Sequence, residues 1–270
     1  MELEGKIALV TGAGGAVGGA GKSIALALAR NGADVAVNDL RPELAEATVE
    51  EIRKLGRKAL AVPCDVTTEP NVIEMIDKTV KEFGGIDILV NNVGHGLPIL
   101  IEDMSAEDWH TVLARNLDAP FYCSKNVIPT MKSRGGGKVV FIGSMAGKGI
   151  TAMTGASYTA AKAGLLGFCR QMAWEVGPYG INCNVVCPAA IMSSFNPPPQ
   201  EQLDAMLKRM PIRRITYSDD IANTVVFLVS EASKTITGIS IDVESGMTIG
   251  MGDWDNYIKM RKDWVAKNRT

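Results

Sequence analysis

The chain has 270 residues, 46% of them hydrophobic, enough for one large α/β domain with a substantial core. Its 28 basic side chains are matched by 30 acidic ones, and a formal charge of −2 argues against a general attraction to nucleic acid or an anionic membrane. No apolar run nears the ~18 to 20 residues of a membrane span, and five scattered cysteines with two histidines point to neither a disulfide framework nor a metal site.

From the N-terminus onward, short runs rich in Val, Ile and Ala alternate with longer amphipathic stretches. The charged opening "MELEG" leads directly into "KIALV" (6–10), so no signal peptide is expected and the chain reads as cytoplasmic, with reduced thiols. Further strands are predicted at 33–38, 58–62, 86–92, 137–144, 181–187 and 238–243, each apolar enough to be buried on both faces. Helices are predicted at 22–31, 42–55, 69–83, 105–133, 156–176 and 218–229. Gly32, Gly56, Gly84 and Gly135 fall where C-terminal caps belong, and Ser105 and Ser218 where helices begin. This alternation predicts a Rossmann-type, doubly wound parallel sheet of about seven strands with helices on both faces, in a single domain over 1–252. Residues 189–216, with three consecutive prolines, read as a substrate loop. Beyond them, in 253–270, Trp254, Tyr257, Ile258 and Trp264 recur at roughly helical spacing, predicting an amphipathic extension that needs an apolar surface.

The first turn, "TGAGGAVGGAGKSIALALARNGADVAVND" (11–39), supports two readings. "GAGKS" ends like a triphosphate loop, in which Lys22 would reach the terminal phosphates and Ser23 would hold Mg²⁺. That reading needs a second acid at another strand end, whereas "VVFIGS" and "ILVNN" end in Ser and Asn. Asp39 ends the second strand 18 residues beyond Gly21, close to the ~20 expected of an acid that hydrogen-bonds an adenosine ribose. A carboxylate there accepts from both ribose hydroxyls and repels a 2′-phosphate, so NAD is expected rather than NADP.

Thr11-Gly12 with the later glycines, Asp65-Val66, "NNVG" at 91–94, Asn116, Ser144 and "YTAAK" at 158–162 follow in an order that resembles the short-chain dehydrogenase/reductase family over residues 5–246. The resemblance implies an NAD-dependent alcohol dehydrogenase or ketone reductase with Asn116, Ser144, Tyr158 and Lys162 as catalytic residues. It implies cofactor contacts from Gly12, Gly19, Gly21, Asp39, Asp65, Val66, Asn92, Gly94, Tyr158, Lys162 and Ile191. The chain departs from the family pattern in a glycine loop three residues longer than usual, in Val93 and Ala189, and in a Ser144-to-Tyr158 spacing of fourteen, one more than expected. Enoyl reductases of the same fold are disfavoured, because their lysine lies farther along the helix and position 165 here is Leu.

Tyr158 and Lys162 are four apart and share a helix face, so the ammonium is expected to pull a phenol that titrates near ~10 toward neutrality. By resemblance, Tyr158 exchanges a proton with the substrate oxygen and Ser144 hydrogen-bonds that oxygen. Lys162 grips the nicotinamide ribose, and Asn116 holds a water leading to solvent. His95, Met145, Met153, Phe195 and Met206 are candidate substrate-pocket residues, and Met210 is either cavity lining or core. Family members are commonly tetramers through the helices that carry Asn116 and Tyr158, so a homotetramer with the tail at an interface is expected. The other partner is a small-molecule alcohol or ketone, with no nucleic acid, membrane or metal. A P-loop-like nucleotide triphosphate-binding protein and a non-catalytic dinucleotide-binding module are the alternatives.

Overall fold

Every residue of "IALV" is buried, which a strand achieves only when both faces of its sheet are covered. In the computed structural model, which describes residues 2–15, 19–151, 153–189, 191, 199–249 and 252–269, this run is β1 (Ile7–Val10). It is followed by β2 (Asp34–Val37), β3 (Ala59–Ala61), β4 (Ile88–Asn91), β5 (Gly137–Ile142), β6 (Ile181–Pro188) and β7 (Ser240–Val243). They form one parallel seven-stranded sheet in the order β3-β2-β1-β4-β5-β6-β7. The order reverses between β1 and β4, and in an open sheet the crevice beyond the strand C-termini at that point is where a ligand binds.

Alternate residues of β1 enter opposite cores. Ala8 and Val10 join a cluster with Leu28, Val35 and Val225, while Leu9 joins Leu89, Phe141 and Leu165 on the other face. Helices α1 (Gly21–Arg30), α2 (Pro42–Lys54) and α3 (Glu69–Phe83) supply these faces together with α5 (Ala119–Ser133), α6 (Gly155–Val176) and α8 (Ser218–Val229), whereas α4 (Ala106–Leu113) and α7 (Gln200–Lys208) add no residue to either cluster. Gly32, Gly56, Gly84 and Gly135 all have positive φ just past helix ends, the conformation that a side chain disfavours. Ser105 accepts from the Asp108 N–H at the start of α4 while Asp108 accepts from the Ser105 N–H, a reciprocal cap. Ser218 is the first residue of α8 rather than the residue before it.

Two elements differ from the sequence expectation. The single helix foreseen at 105–133 is divided by a π-helical turn, Ala114–Asp118, where the Ala119 N–H reaches back five residues to the Ala114 carbonyl. Pro120 has no N–H to return to the carbonyl of Asn116, and the Asn116 amide donates to the Val112 carbonyl at 2.8 Å, so the regular ladder gives way here. Within the expected loop at 189–216, α7 forms directly after the prolines, from a polar run of strong helix formers with no buried residue. The tail folds as α9 (Trp254–Asn268), capped by Asp253 and likewise without a buried residue. Among the described residues, no helix is long and apolar enough to cross a membrane.

Candidate active site

β5 delivers Ser144 just beyond its C-terminal end, and α6 presents Tyr158 and Lys162 one turn apart opposite it. Ser144 stands close enough to the Tyr158 hydroxyl to favour its ionisation, so the extra residue between them is absorbed by the intervening loop. Lys162 is only 2% exposed. Its ammonium donates to the Ile142 carbonyl at 2.8 Å and lies 5.5 Å from the Tyr158 ring centroid.

The expected acidification of the phenol by this ammonium is not what the chain alone produces. Burial holds the Tyr158 phenol above its ordinary value, with the Ser144 hydrogen bond offsetting part of the rise. The same burial pushes the Lys162 ammonium down to about 8. Both groups are destabilised in their charged forms because both are out of water.

Asn116 sits in the π-helical turn, fully buried, and donates to the His95 and Val112 carbonyls at 2.8 Å each. Among the described residues its Oδ1 has no partner. A Cβ on Gly94 would fall 2.6 Å from this oxygen and 2.9 Å from the Lys162 ammonium, so the missing side chain is what lets the two polar groups face one gap. A buried oxygen beside a buried ammonium is where a bridging water belongs.

The glycine loop offers a second cradle. Among the described residues, the N-terminus of α1 has neither a side-chain cap nor an acid in its first turn, so its first N–H groups are suited to an anion. A Cβ on Gly21 would lie 2.3 Å from the Gly12 carbonyl oxygen, and one on Gly14 would lie 2.7 Å from the Asp39 carboxylate. Asp39, 8% exposed at the end of β2, accepts from the Gly14 N–H at 3.0 Å and the Arg41 N–H at 3.1 Å. These features fit a dinucleotide. The uncapped helix end suits its pyrophosphate, the Asp39 carboxylate its adenosine ribose, and a buried ammonium with one protein acceptor suits the hydroxyls of the second ribose. Lys22 pairs instead with Glu51 at 2.7 Å on α2, away from the phosphate position a triphosphate loop requires.

The remaining expected residues are dispersed. Gly19 contributes its carbonyl to a 3.5 Å hydrogen bond from Ser218. Asn92 braces the loop by donating to the Thr11 and Gly12 carbonyls at 3.0 Å. Asp65 is exposed and accepts from the Thr67 N–H and hydroxyl, while Val66 is buried beside Thr11 and Val93. Ile191 is half-buried against the core. The His95 and Met153 side chains are exposed, Met145 and Met206 are half-buried, and Met210 is core. Phe195, and residues 16–18 of the lengthened loop, lie outside the described residues. Sequence reasoning missed Gly14 and the Ile142 carbonyl, which depend on contacts between distant segments. The run of glycines was the one signal available for the first.

The family pattern described as Enoyl-(Acyl carrier protein) reductase matches residues 15–248. A 3-oxoacyl-(acyl-carrier-protein) reductase from Staphylococcus epidermidis is 39% identical over 248 residues, covering 90% of this chain and 98% of its own. A short-chain type dehydrogenase/reductase from Mycobacterium marinum superposes with a TM-score of 0.84 at 31% identity, covering 92% of this chain and 97% of its own. The chain belongs to the short-chain dehydrogenase/reductase family. Membership sets the reaction class: it is an NAD(H)-dependent oxidoreductase acting on alcohols and ketones. A further member, a 7α-hydroxysteroid dehydrogenase solved with NADH and 7-oxo glycochenodeoxycholic acid, has a TM-score of 0.84 at 36% identity, covering 91% of this chain and 95% of its own. Leu165, where an enoyl-reducing member would carry its lysine, is buried in the core.

Proposed function

We propose that this enzyme interconverts a secondary alcohol and its ketone on a molecule with a bulky apolar body, with Tyr158 as the proton donor and acceptor. The observation that carries the reading is the buried Lys162 ammonium, with one protein acceptor among the described residues, one turn from the Tyr158 phenol beside Ser144. In the reductive direction Tyr158 gives its hydroxyl proton to the carbonyl oxygen. Ser144 donates a hydrogen bond to the same oxygen and stabilises charge developing there. Bound NAD(H) supplies or accepts the hydride. Lys162 holds the nicotinamide ribose, and a water between Asn116 Oδ1 and Lys162 returns the proton from solvent. Asp39 confers the preference for NAD over NADP.

Exposed Leu100, Ile101, Ile150 and Met153 on the loops flanking Tyr158 favour an apolar substrate body. Two members similar to this chain are named for acyl and steroid substrates, both of that character. The test is an NAD⁺ reduction screen across sterols, hydroxyacyl thioesters, cyclic alcohols and polyols. Turnover on sterols, cyclic alcohols or acyl substrates is expected, and a preference for polyols would overturn the substrate reading.

A further inference from the structure

The parallel register lines up a second set of polar side chains at the edge of the sheet away from Ser144. Ile88 of β4 pairs with Lys138 of β5, Lys138 pairs with Asn182 of β6, and Lys6 stands directly before β1. Lys138 and Ser144 are six residues apart along β5 and its extension, about 20 Å of strand. At this far edge lies an open cavity of about 480 Å³, within the ~300 to 1,000 Å³ of small-molecule sites. Its recess lies between the turns that lead into β5 and β6, where bare backbone takes the place of side chains. Gly135, Gly136 and Gly180 have positive φ, and a Cβ on Gly136 would lie 2.7 Å from the Gly180 carbonyl oxygen.

The charge of this cavity is unbalanced. Arg134 and Asp87 neutralise each other through two hydrogen bonds, of 2.7 and 2.9 Å. That leaves Lys6, Lys138 and Lys234 against Glu231, a net +2 in a chain whose formal charge is −2. Among the described residues, the Lys138 ammonium bonds no carboxylate and donates instead to the neutral Asn182 Oδ1 at 2.9 Å. Burial holds this ammonium below its ordinary value, Glu231 opposes the shift and Lys6 adds to it. A partly buried cation near a second cation is stabilised by an anion brought from outside. Thr235 and Thr237 line the same wall and add hydroxyl groups.

We infer that this cavity is a second ligand site, separate from the active site, which takes a small phosphoryl-bearing anion between Lys6, Lys138 and Lys234. The donors discriminate between phosphoryl and carboxylate ligands. A planar carboxylate is best met by a guanidinium fork, and the one guanidinium lining the cavity among the described residues already gives its Nε and Nη2 to Asp87. Ammonium point charges and hydroxyls can instead converge on a tetrahedral group from several directions. An extended polyanion is the poorer occupant, because the chain outside this net +2 carries −4 and repels it. An occupant would tie the starts of β5 and β6 to the segment entering β7, and so stabilise the fold by linkage.

The test titrates the NADH-saturated enzyme with inorganic pyrophosphate, so that the cofactor fills the glycine-loop cradle and further binding lies elsewhere. Calorimetry is expected to find one pyrophosphate per chain, with at least tenfold weaker binding of citrate, a carboxylate probe of similar charge. Lys138→Met should raise the pyrophosphate Kd at least tenfold, and Lys234→Gln at least threefold, with NADH affinity unchanged in both. Thermal melts check the folding of each variant, and the exposed Lys234→Gln decides the matter if Lys138→Met does not fold. Absence of pyrophosphate binding to the saturated enzyme, an unaltered Kd in the folded variants, a parallel loss of NADH affinity, or citrate binding as tightly as pyrophosphate would each overturn the inference.

Discussion

Lys162 carries a conflict between stability and function. Its charged form is disfavoured by burial, which lowers it from the ordinary 10.5 to about 8. Below about pH 8 the ammonium is charged in both folded and unfolded chains and the desolvation penalty is fully present. Between about 8 and 10.5 the unfolded chain binds the extra proton, so the stability of the ligand-free protein rises with pH across that window. Lys162→Met should therefore abolish turnover while raising ligand-free stability at pH 7 by roughly 2 kcal/mol, less than the ~3 implied by the shift because the Ile142 carbonyl loses its donor. Denaturant melts between pH 7 and 10.5 check this, with the variant lacking the wild-type climb. Gly94→Ala tests the gap between Asn116 and Lys162. Its backbone is ordinary, so the fold should persist, while the new methyl closes the space for a bridging water. We expect kcat to fall at least tenfold, its pH profile to shift and KM for NAD(H) to rise, because the methyl also crowds the Lys162 ammonium, as read from steady-state kinetics. That Ser144, Tyr158, Lys162 and Asn116 come together was implied by the family resemblance, while spacing alone put only Tyr158 and Lys162 on one helix face. The direction of the two pKa shifts was not legible, since spacing along a helix says nothing about how deeply the fold buries each group.

At the level of elements, α1 is the piece on which cofactor affinity turns. Gly21 begins it against the Gly12 carbonyl, a backbone atom that cannot swing away. Gly21→Ala should lower stability by about 1 to 3 kcal/mol through overpacking and weaken NADH binding at least tenfold. Calorimetric titration and a denaturant melt measure the two effects. The start of α1 was readable because shifting the glycine pattern by three residues gave the helix its usual length before Gly32. The π-helical turn at 114–118 was not readable. One additional residue within a turn leaves the apolar period of 105–133 almost intact, and its cause, a proline at 120 with a side-chain amide at 116, involves no break in composition. The helix α7 escaped for a related reason, since three prolines dominate the reading of the segment and its own apolar face is left half-buried.

Over the whole molecule, strict alternation of strand and helix carried enough information for the sheet, as crossovers between parallel strands need a covering helix. Ligand linkage offers a global check on the two readings of the glycine loop. NADH at 100 times its Kd should stabilise the fold by about 2.7 kcal/mol, raising Tm by roughly 5 to 10 °C, whereas Mg-ATP should leave it unchanged. A Tm rise with Mg-ATP and none with NADH would restore the triphosphate reading. The account depends most directly on the hydroxyl of Tyr158, and the decisive measurement is single-turnover hydride transfer in Tyr158→Phe beside its NADH affinity. We predict a rate lowered by about 10²- to 10⁴-fold with NADH binding within a few-fold of wild type; unimpaired hydride transfer in that variant would contradict the account.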